Sequence, residues 1–373
     1  MKGRAFFLFS GLALLLYAST LYAAREDKDP LRAQKALERK QRIELLGFFL
    51  KDPKDAVMPQ TPLAIDLYNQ GVEFYEKKEY DLAFEAFQDS LKYNPNNALA
   101  YELMGDISYF QQKLPEAKKY YQKAFEIQPR GGLKTKLEKL RDETIVEKDL
   151  STYREQHFII KYQDGKGEYD GFELREILKE TYSRISKDLG YYFNHKVVVL
   201  LYDQEQFQKL TQLPHWAAGV YDGKIRMPAY QVGFTDRELK SLTAHEMTHA
   251  FVSAISKNRA PVWINEGLAE YEENRVEKNP LIVFKPAVRT NNLIPLTTLM
   301  TQGAVTAMKD PIMISLFYEQ SFQLVTYLID RYGMFRVKQL LEEFGKGKDS
   351  DEGLRNILKI SIDRLEREWK DTL

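Results

Sequence analysis

The chain has no cysteine. That excludes disulfides, thiolate metal ligands, cysteine nucleophiles and a lipid-anchored N-terminal cysteine. Histidine is scarce too, at 5 residues in 373, so any two at ligand spacing carry information. Neither sign of charge dominates: 54 Lys+Arg face 54 Asp+Glu. This leaves no electrostatic footprint for nucleic acid. Past the N-terminus there is no apolar run long enough to span a bilayer. A chain of this length is expected to hold two or three domains.

At the N-terminus, Lys2 and Arg4 precede an apolar stretch over residues 5–18, and small residues come next at Ala18, Ser19, Ala23 and Ala24. This is the layout of a signal peptide, expected over residues 1–24. It would export the rest of the chain to the periplasm or cell envelope. The alternative is an uncleaved N-terminal anchor, which would provide the expected membrane contact. Residues 25–60 read as a lead-in. Asp29-Pro30 can open a helix over 31–50, and Pro53, Pro59 and Pro62 interrupt regular structure beyond it.

Residues 64–131 carry a period of 34, within a repeat domain expected over 61–148. Gly71 recurs as Gly105, Tyr75 as Tyr109, Ala83 as Ala117 and Pro95 as Pro129. The small residues let paired helices approach, and aromatics fill the remaining space. The segment resembles tetratricopeptide repeats, whose unit is a helix pair of that length. Two repeats bury little alone, so the helix at 31–50, the helix at 133–148, or both are expected to cap the array. The resemblance implies a concave surface for a peptide or protein partner; a spacer holding the next domain off the membrane is the other reading.

From about residue 155 the pattern changes. Phe158–Tyr162 and 196–201 read as strands, Gly171–Leu189 as an amphipathic helix, and 204–213 as a short helix. Residues 219–228 read as a hairpin or edge strand, ended by Pro228. Thr235 to Glu238 is a capping-box sequence, and the helix it opens is apolar all round, as a buried helix is.

That helix carries His245-Glu246-Met247-Thr248-His249. Positions i and i+4 share a helix face, so the two imidazoles can meet one metal while Glu246 reaches a water beside it. Zinc suits such a site, and a catalytic zinc takes three protein ligands. Sixteen residues after His249 comes Asn265-Glu266-Gly267-Leu268-Ala269-Glu270, whose two carboxylates at i and i+4 also share a face. One can ligate while the other holds a histidine by its free ring N–H. His157, His195 and His215 have no partner at ligand spacing.

The two segments resemble the gluzincin clan of zinc metallopeptidases, most closely its peptidase MA-like family. The resemblance covers residues from about 150 onward and implies an α+β, thermolysin-like peptidase domain over 149–373, behind the all-α repeats. It makes His245, His249 and Glu266 the Zn²⁺ ligands, Glu246 the general base and Glu270 the residue supporting a ligand. It also implies an edge strand that pairs with substrate, here Ile225 to Met227, and a Tyr near the scissile carbonyl, for which Tyr318 is the candidate and Tyr327 the reserve. The aminopeptidase branch carries an acid in this strand that holds the substrate amine; none stands between Gly219 and Tyr230, which favours an endopeptidase. The expected activity is hydrolysis of peptide bonds in an exported or envelope protein. The alternative is a repeat scaffold with an inactive peptidase-like domain.

Overall fold

The computed structural model describes residues 62–163, 171–211, 219–228, 236–302, 304–305 and 308–373. The expected signal peptide and lead-in, the cap residue Thr235 and His215 lie outside the described residues. Among those described, no helix is long and apolar enough to cross a membrane. The chain divides into two compact units, whose described parts are 62–107 with 115–134, and 108–114 with most of 135–373. Residues 135–148 group with the second unit.

Helices α1 (Pro62–Glu76), α2 (Tyr80–Tyr93), α3 (Ala98–Phe110), α4 (Leu114–Ile127) and α5 (Gly131–Val146) open the described chain, and the division passes through α3 and α5. The 34-residue period has a direct steric meaning in the first unit. Gly71 on α1 lies so near Phe87 on α2 that a Cβ would stand 2.6 Å from the ring, and Gly105 meets Tyr121 in the same way. The paired positions are both 34 apart. Ala83 and Ala117 are fully buried at equivalent places.

The second unit holds a five-stranded sheet of β1 (Ser151–Arg154), β2 (Phe158–Tyr162), β3 (Val197–Tyr202), β4 (Val220–Tyr221) and β5 (Ile225–Pro228), in the order β1-β2-β3-β5-β4. The pairs β2–β3 and β3–β5 are parallel; β1–β2 and β4–β5 are antiparallel. Its helices are α6 (Gly171–Leu189), α7 (Gln204–Thr211), α8 (Asp236–Ser256), α9 (Val262–Asn274), α10 (Phe284–Arg289), α11 (Leu296–Leu299), α12 (Pro311–Tyr332), α13 (Met334–Gly345), α14 (Ser350–Ile357) and α15 (Ile362–Lys370).

Strand alternation sorts the two sheet faces. Val197, Val199 and Leu201 of β3 and Ile225 and Met227 of β5 enter a large core shared with α6, α8, α9, α12 and α13. Val198, Leu200 and Tyr202 face a smaller core with Ile159 and Phe207. Both faces of β3 are covered, which explains its unbroken apolar run.

Arg226 leaves β5 on the smaller-core face, where sequence alternation alone would put a solvated residue. It donates to Glu143 and to the Tyr109 hydroxyl, each at 2.8 Å, to the Tyr202 hydroxyl at 3.0 Å, and to Asp222 at 3.1 Å. Lys224 donates to the other oxygen of Glu143 at 3.2 Å. Lys139 pairs with Asp222 at 2.6 Å. Buried charges are tolerated only when paired and hydrogen-bonded, and this cluster holds α5 and the β4–β5 turn to the sheet.

Candidate metal centre

Helices α8 and α9 bring the site together. They cross in opposite directions: His249, later on α8, meets Asn265 at the start of α9, and His245, one turn earlier, meets Glu273 towards its end. The His249 Nδ1–Asn265 Oδ1 distance is 3.1 Å and the His245 Nδ1–Glu273 Oε2 distance is 2.7 Å. With both Nδ1 atoms engaged outside, both Nε2 atoms turn towards one carboxylate oxygen. Glu266 Oε2 lies 3.8 Å from His245 Nε2 and 3.7 Å from His249 Nε2.

These donors fit zinc. Zn–N and Zn–O bonds of about 2.0–2.2 Å in tetrahedral array place neighbouring donors roughly 3.3–3.5 Å apart, a few tenths of an ångström tighter than found. Two imidazoles and one carboxylate form a common catalytic zinc set. Glu246, the residue after His245, is 4% exposed. Its Oε2 has no hydrogen-bond partner among the described residues, although a buried carboxylate oxygen ordinarily has one. An acceptor held in that state beside three metal donors suits a general base.

Two neighbours complete the site. Gly219, immediately before β4, packs on the Glu246 carboxylate, and Tyr221 of β4 packs against the core that α8 shares. On the other side α12 approaches α9 backbone to backbone: a Cβ on Gly267 would stand 2.6 Å from the Ser321 carbonyl oxygen. That approach brings Tyr318, one turn before Ser321, under the influence of Glu266 and Glu270.

A family model of the peptidase MA superfamily matches residues 178–373, the stretch that contains all of these side chains. This chain belongs to the peptidase MA superfamily. A tetratricopeptide repeat model matches residues 98–130, so the peptidase MA domain comes after a repeat region. An uncharacterized protein of Bacillus subtilis (strain 168), YhcO, is 24% identical over 195 residues, which cover 51% of this chain and 53% of that protein. The match thus spans about half the length of the relative.

Electrostatics set the metal-free protonation of the peptidase MA site. Burial works against a charge on His245, but the Glu273 hydrogen bond and the Glu246, Glu273 and Glu266 carboxylates outweigh it and lift its pKa to about 9. His249 is driven down to about 3 by burial and then by the charge on His245. Burial raises Glu246 to about 7, with Glu266 and Glu273 adding to it and His245 opposing. Burial, then Glu273, raises Glu270 to about 7. Burial also raises Glu266. Four carboxylates thus crowd two imidazoles in a buried space, a charge excess that a divalent cation would neutralise. Tyr318 is raised by burial and by Glu266 and Glu270, so its hydroxyl stays protonated as a donor.

The structure therefore brings His245, His249, Glu266 and Glu246 into one cluster and sets Tyr318 near it. Glu270 is beside His245 and Glu273, but the hydrogen bond to His245 comes from Glu273, and sequence reading missed both Glu273 and Asn265. Seven residues separate Glu266 from Glu273, two helical turns, so the shared face was visible; the antiparallel crossing that selects Glu273 was not. Ile225 and Met227 are corrected. Their side chains are fully buried in the core, and β5 is flanked by β3 and β4 rather than lying at an edge. Among the described residues, the strand at that end of the sheet, beside the site, is β4. The reserve Tyr327 is surrounded by Arg331, Tyr332, Glu368 and Asp371, not by the site acids. Neither His157 nor His195 joins a metal-capable cluster among the described residues.

Proposed function

We propose that the second unit is a zinc-dependent peptidase of thermolysin-like type that hydrolyses peptide bonds in a protein of the cell envelope, and that the repeat unit binds a partner or the substrate. The observation that carries the reading is the convergence of His245, His249 and Glu266 on one point, next to a buried Glu246 oxygen that has no partner among the described residues. His245, His249 and Glu266 would hold the ion. Zinc, when bound, supplies Lewis acidity that makes water more acidic and polarises a carbonyl.

The rest is done by the chain. Glu246 accepts a proton from the attacking water and delivers it to the nitrogen of the departing amine. Burial raises its pKa, which favours its taking up the proton. Glu273 and Asn265 fix the rotation of the two imidazoles through Nδ1. The Tyr318 hydroxyl donates to the carbonyl oxygen as negative charge develops there. The outer edge of β4 provides backbone groups for pairing with an extended substrate. Export by the N-terminal segment fits an envelope substrate.

The test is metal analysis of the full chain and of His249→Ala, then incubation with casein for the wild type and Glu246→Gln. One zinc per wild-type chain, lost in His249→Ala, with casein cleavage abolished in Glu246→Gln while its zinc is retained, is the expected result. Zinc-free wild-type protein after reconstitution would refute the reading and leave the repeats as the working part.

A further inference from the structure

We infer that Gly219 is a positioning residue for Glu246: the missing side chain at the head of β4 sets where the Glu246 carboxylate stands. The catalytic meaning of this rests on the peptidase reading; the contact itself does not.

A glycine in a packed site serves either an unusual backbone conformation or a need for space. Gly219 is absent from the positive-φ glycines, which are Gly190, Gly223, Gly333 and Gly347. Its φ is not in the positive range that calls for glycine, so space is the reason. A Cβ built there stands 2.5 Å from Glu246 Oε1 and 2.9 Å from both Cδ and Cγ. Three atoms of one side chain are in the way, so no small adjustment of the carboxylate clears the position.

Neither side can retreat. Glu246 is 4% exposed, and its helix neighbours Met247 and Ala250 are fully buried, so α8 is held by the core. On the strand side, β4 pairs with β5 through Val220–Arg226 and Tyr221–Ile225. Tyr221 packs against the core that α8 shares, and β4 lies in contact with α8. The strand is thus held two residues past Gly219. Any side chain at position 219 must therefore rotate the Glu246 carboxylate out of its present place. A general base works only within hydrogen-bond reach of its proton, and displacements near 1 Å cost about 100-fold in rate.

The experiment is a double-mutant cycle on the full chain: wild type, Gly219→Ala, Glu246→Ala and the double variant. Each is assayed for thermal unfolding and zinc content, and the first two also for steady-state cleavage of fluorescein-labelled β-casein. The expected result has three parts. Gly219→Ala lowers Tm in the wild-type background but not in Glu246→Ala. It keeps the wild-type zinc content. It lowers kcat about 100-fold with KM little changed. A Gly219→Ala chain that fails to fold alone but folds with Glu246→Ala supports the same contact. Equal destabilisation in both backgrounds overturns the contact, because the obstruction then lies elsewhere. An unchanged kcat, or a loss confined to KM, overturns the positioning role. Wild-type protein that holds zinc yet cleaves no casein overturns the proposed function instead, and the positioning role falls with it even where the melting cycle upholds the contact.

Discussion

Replacing Glu143 by Gln tests the buried ion cluster behind β5 most directly. The change keeps the side-chain shape and removes one negative charge from between two cations, Lys224 and Arg226, which are 0% and 1% exposed. Arg226 cannot shed its proton, but it keeps Asp222 at 3.1 Å. Lys224 has no second carboxylate bond among the described residues; it keeps the Tyr109 ring, 3.5 Å from its ammonium, and the weaker pull of Glu147. Burial already holds the Lys224 pKa down at about 8 against the opposing pull of Glu143, so the substitution lowers it further. Once it falls below the working pH the lysine deprotonates, which caps its share at about 1.4 kcal/mol for the unit between pH 8 and 7. Adding the loss at Arg226, about 3 kcal/mol is expected, at the lower end of the cost of breaking a buried pair. In a unit of this size that lowers Tm by roughly 6–12 °C. The pH dependence carries a second signature. A lysine with a lowered folded pKa gains stability as pH rises from that value towards 10.5, because the unfolded chain still binds the proton that the folded one has released. In the wild type this rise starts near pH 8; in Glu143→Gln it starts below pH 7. Urea unfolding at pH 6, 7, 8 and 9 measures both. A loss under about 1 kcal/mol at pH 7, or parallel pH curves, would show that Glu143 is not the counter-charge of this cluster.

Three further outcomes are expected. Glu273→Gln leaves three zinc ligands intact but removes the carboxylate that orients His245, and zinc affinity should fall about 10- to 100-fold in competition with a fluorescent chelator; unchanged affinity would remove Glu273 from the site. Gly267→Ala puts a Cβ against the Ser321 carbonyl and should destabilise by about 1–3 kcal/mol while reducing turnover through Tyr318; a neutral melt would mean that α9 and α12 are not in backbone contact. In the repeats, Gly71→Ala reverses the usual sign. Mid-helix Gly→Ala normally stabilises by up to about 1 kcal/mol, but here the new methyl meets the fully buried Phe87 ring, so circular-dichroism melts should show a loss.

How much of the structure is legible in the sequence depends on how far apart the cooperating residues lie along the chain. The His245–His249 pair is a local helical relation, and α8 carries it. The period of 34 is likewise visible, although the reason Gly71 and Gly105 are glycines appears only when the rings of Phe87 and Tyr121 are placed against them. β1 escapes a sequence reading because Ser151-Thr152-Tyr153-Arg154 is largely exposed and has no apolar alternation; it is a strand through its pairing with β2.

The misreading of β5 has a more instructive cause. Ile225-Arg226-Met227 alternates as a strand with one wet face should, which together with Pro228 suggests an edge. Arg226 is instead buried because Glu143, 83 residues earlier, and Tyr109, 117 residues earlier, supply its partners. A paired charge and a solvated one look the same in sequence, since the pairing is a tertiary fact. The edge role among the described residues passes to Val220–Tyr221, the other arm of the hairpin that 219–228 suggested. The glycine ahead of it shows the same limit from the other side. Gly219 reads as the first residue of a hairpin or edge strand, yet its φ does not call for glycine and its function is to be empty where Glu246 stands. The donor cluster at this centre is legible because groups able to hold a metal are specific side chains; the residues that position it are not, because a position defined by what it leaves out has meaning only next to the group that fills the space.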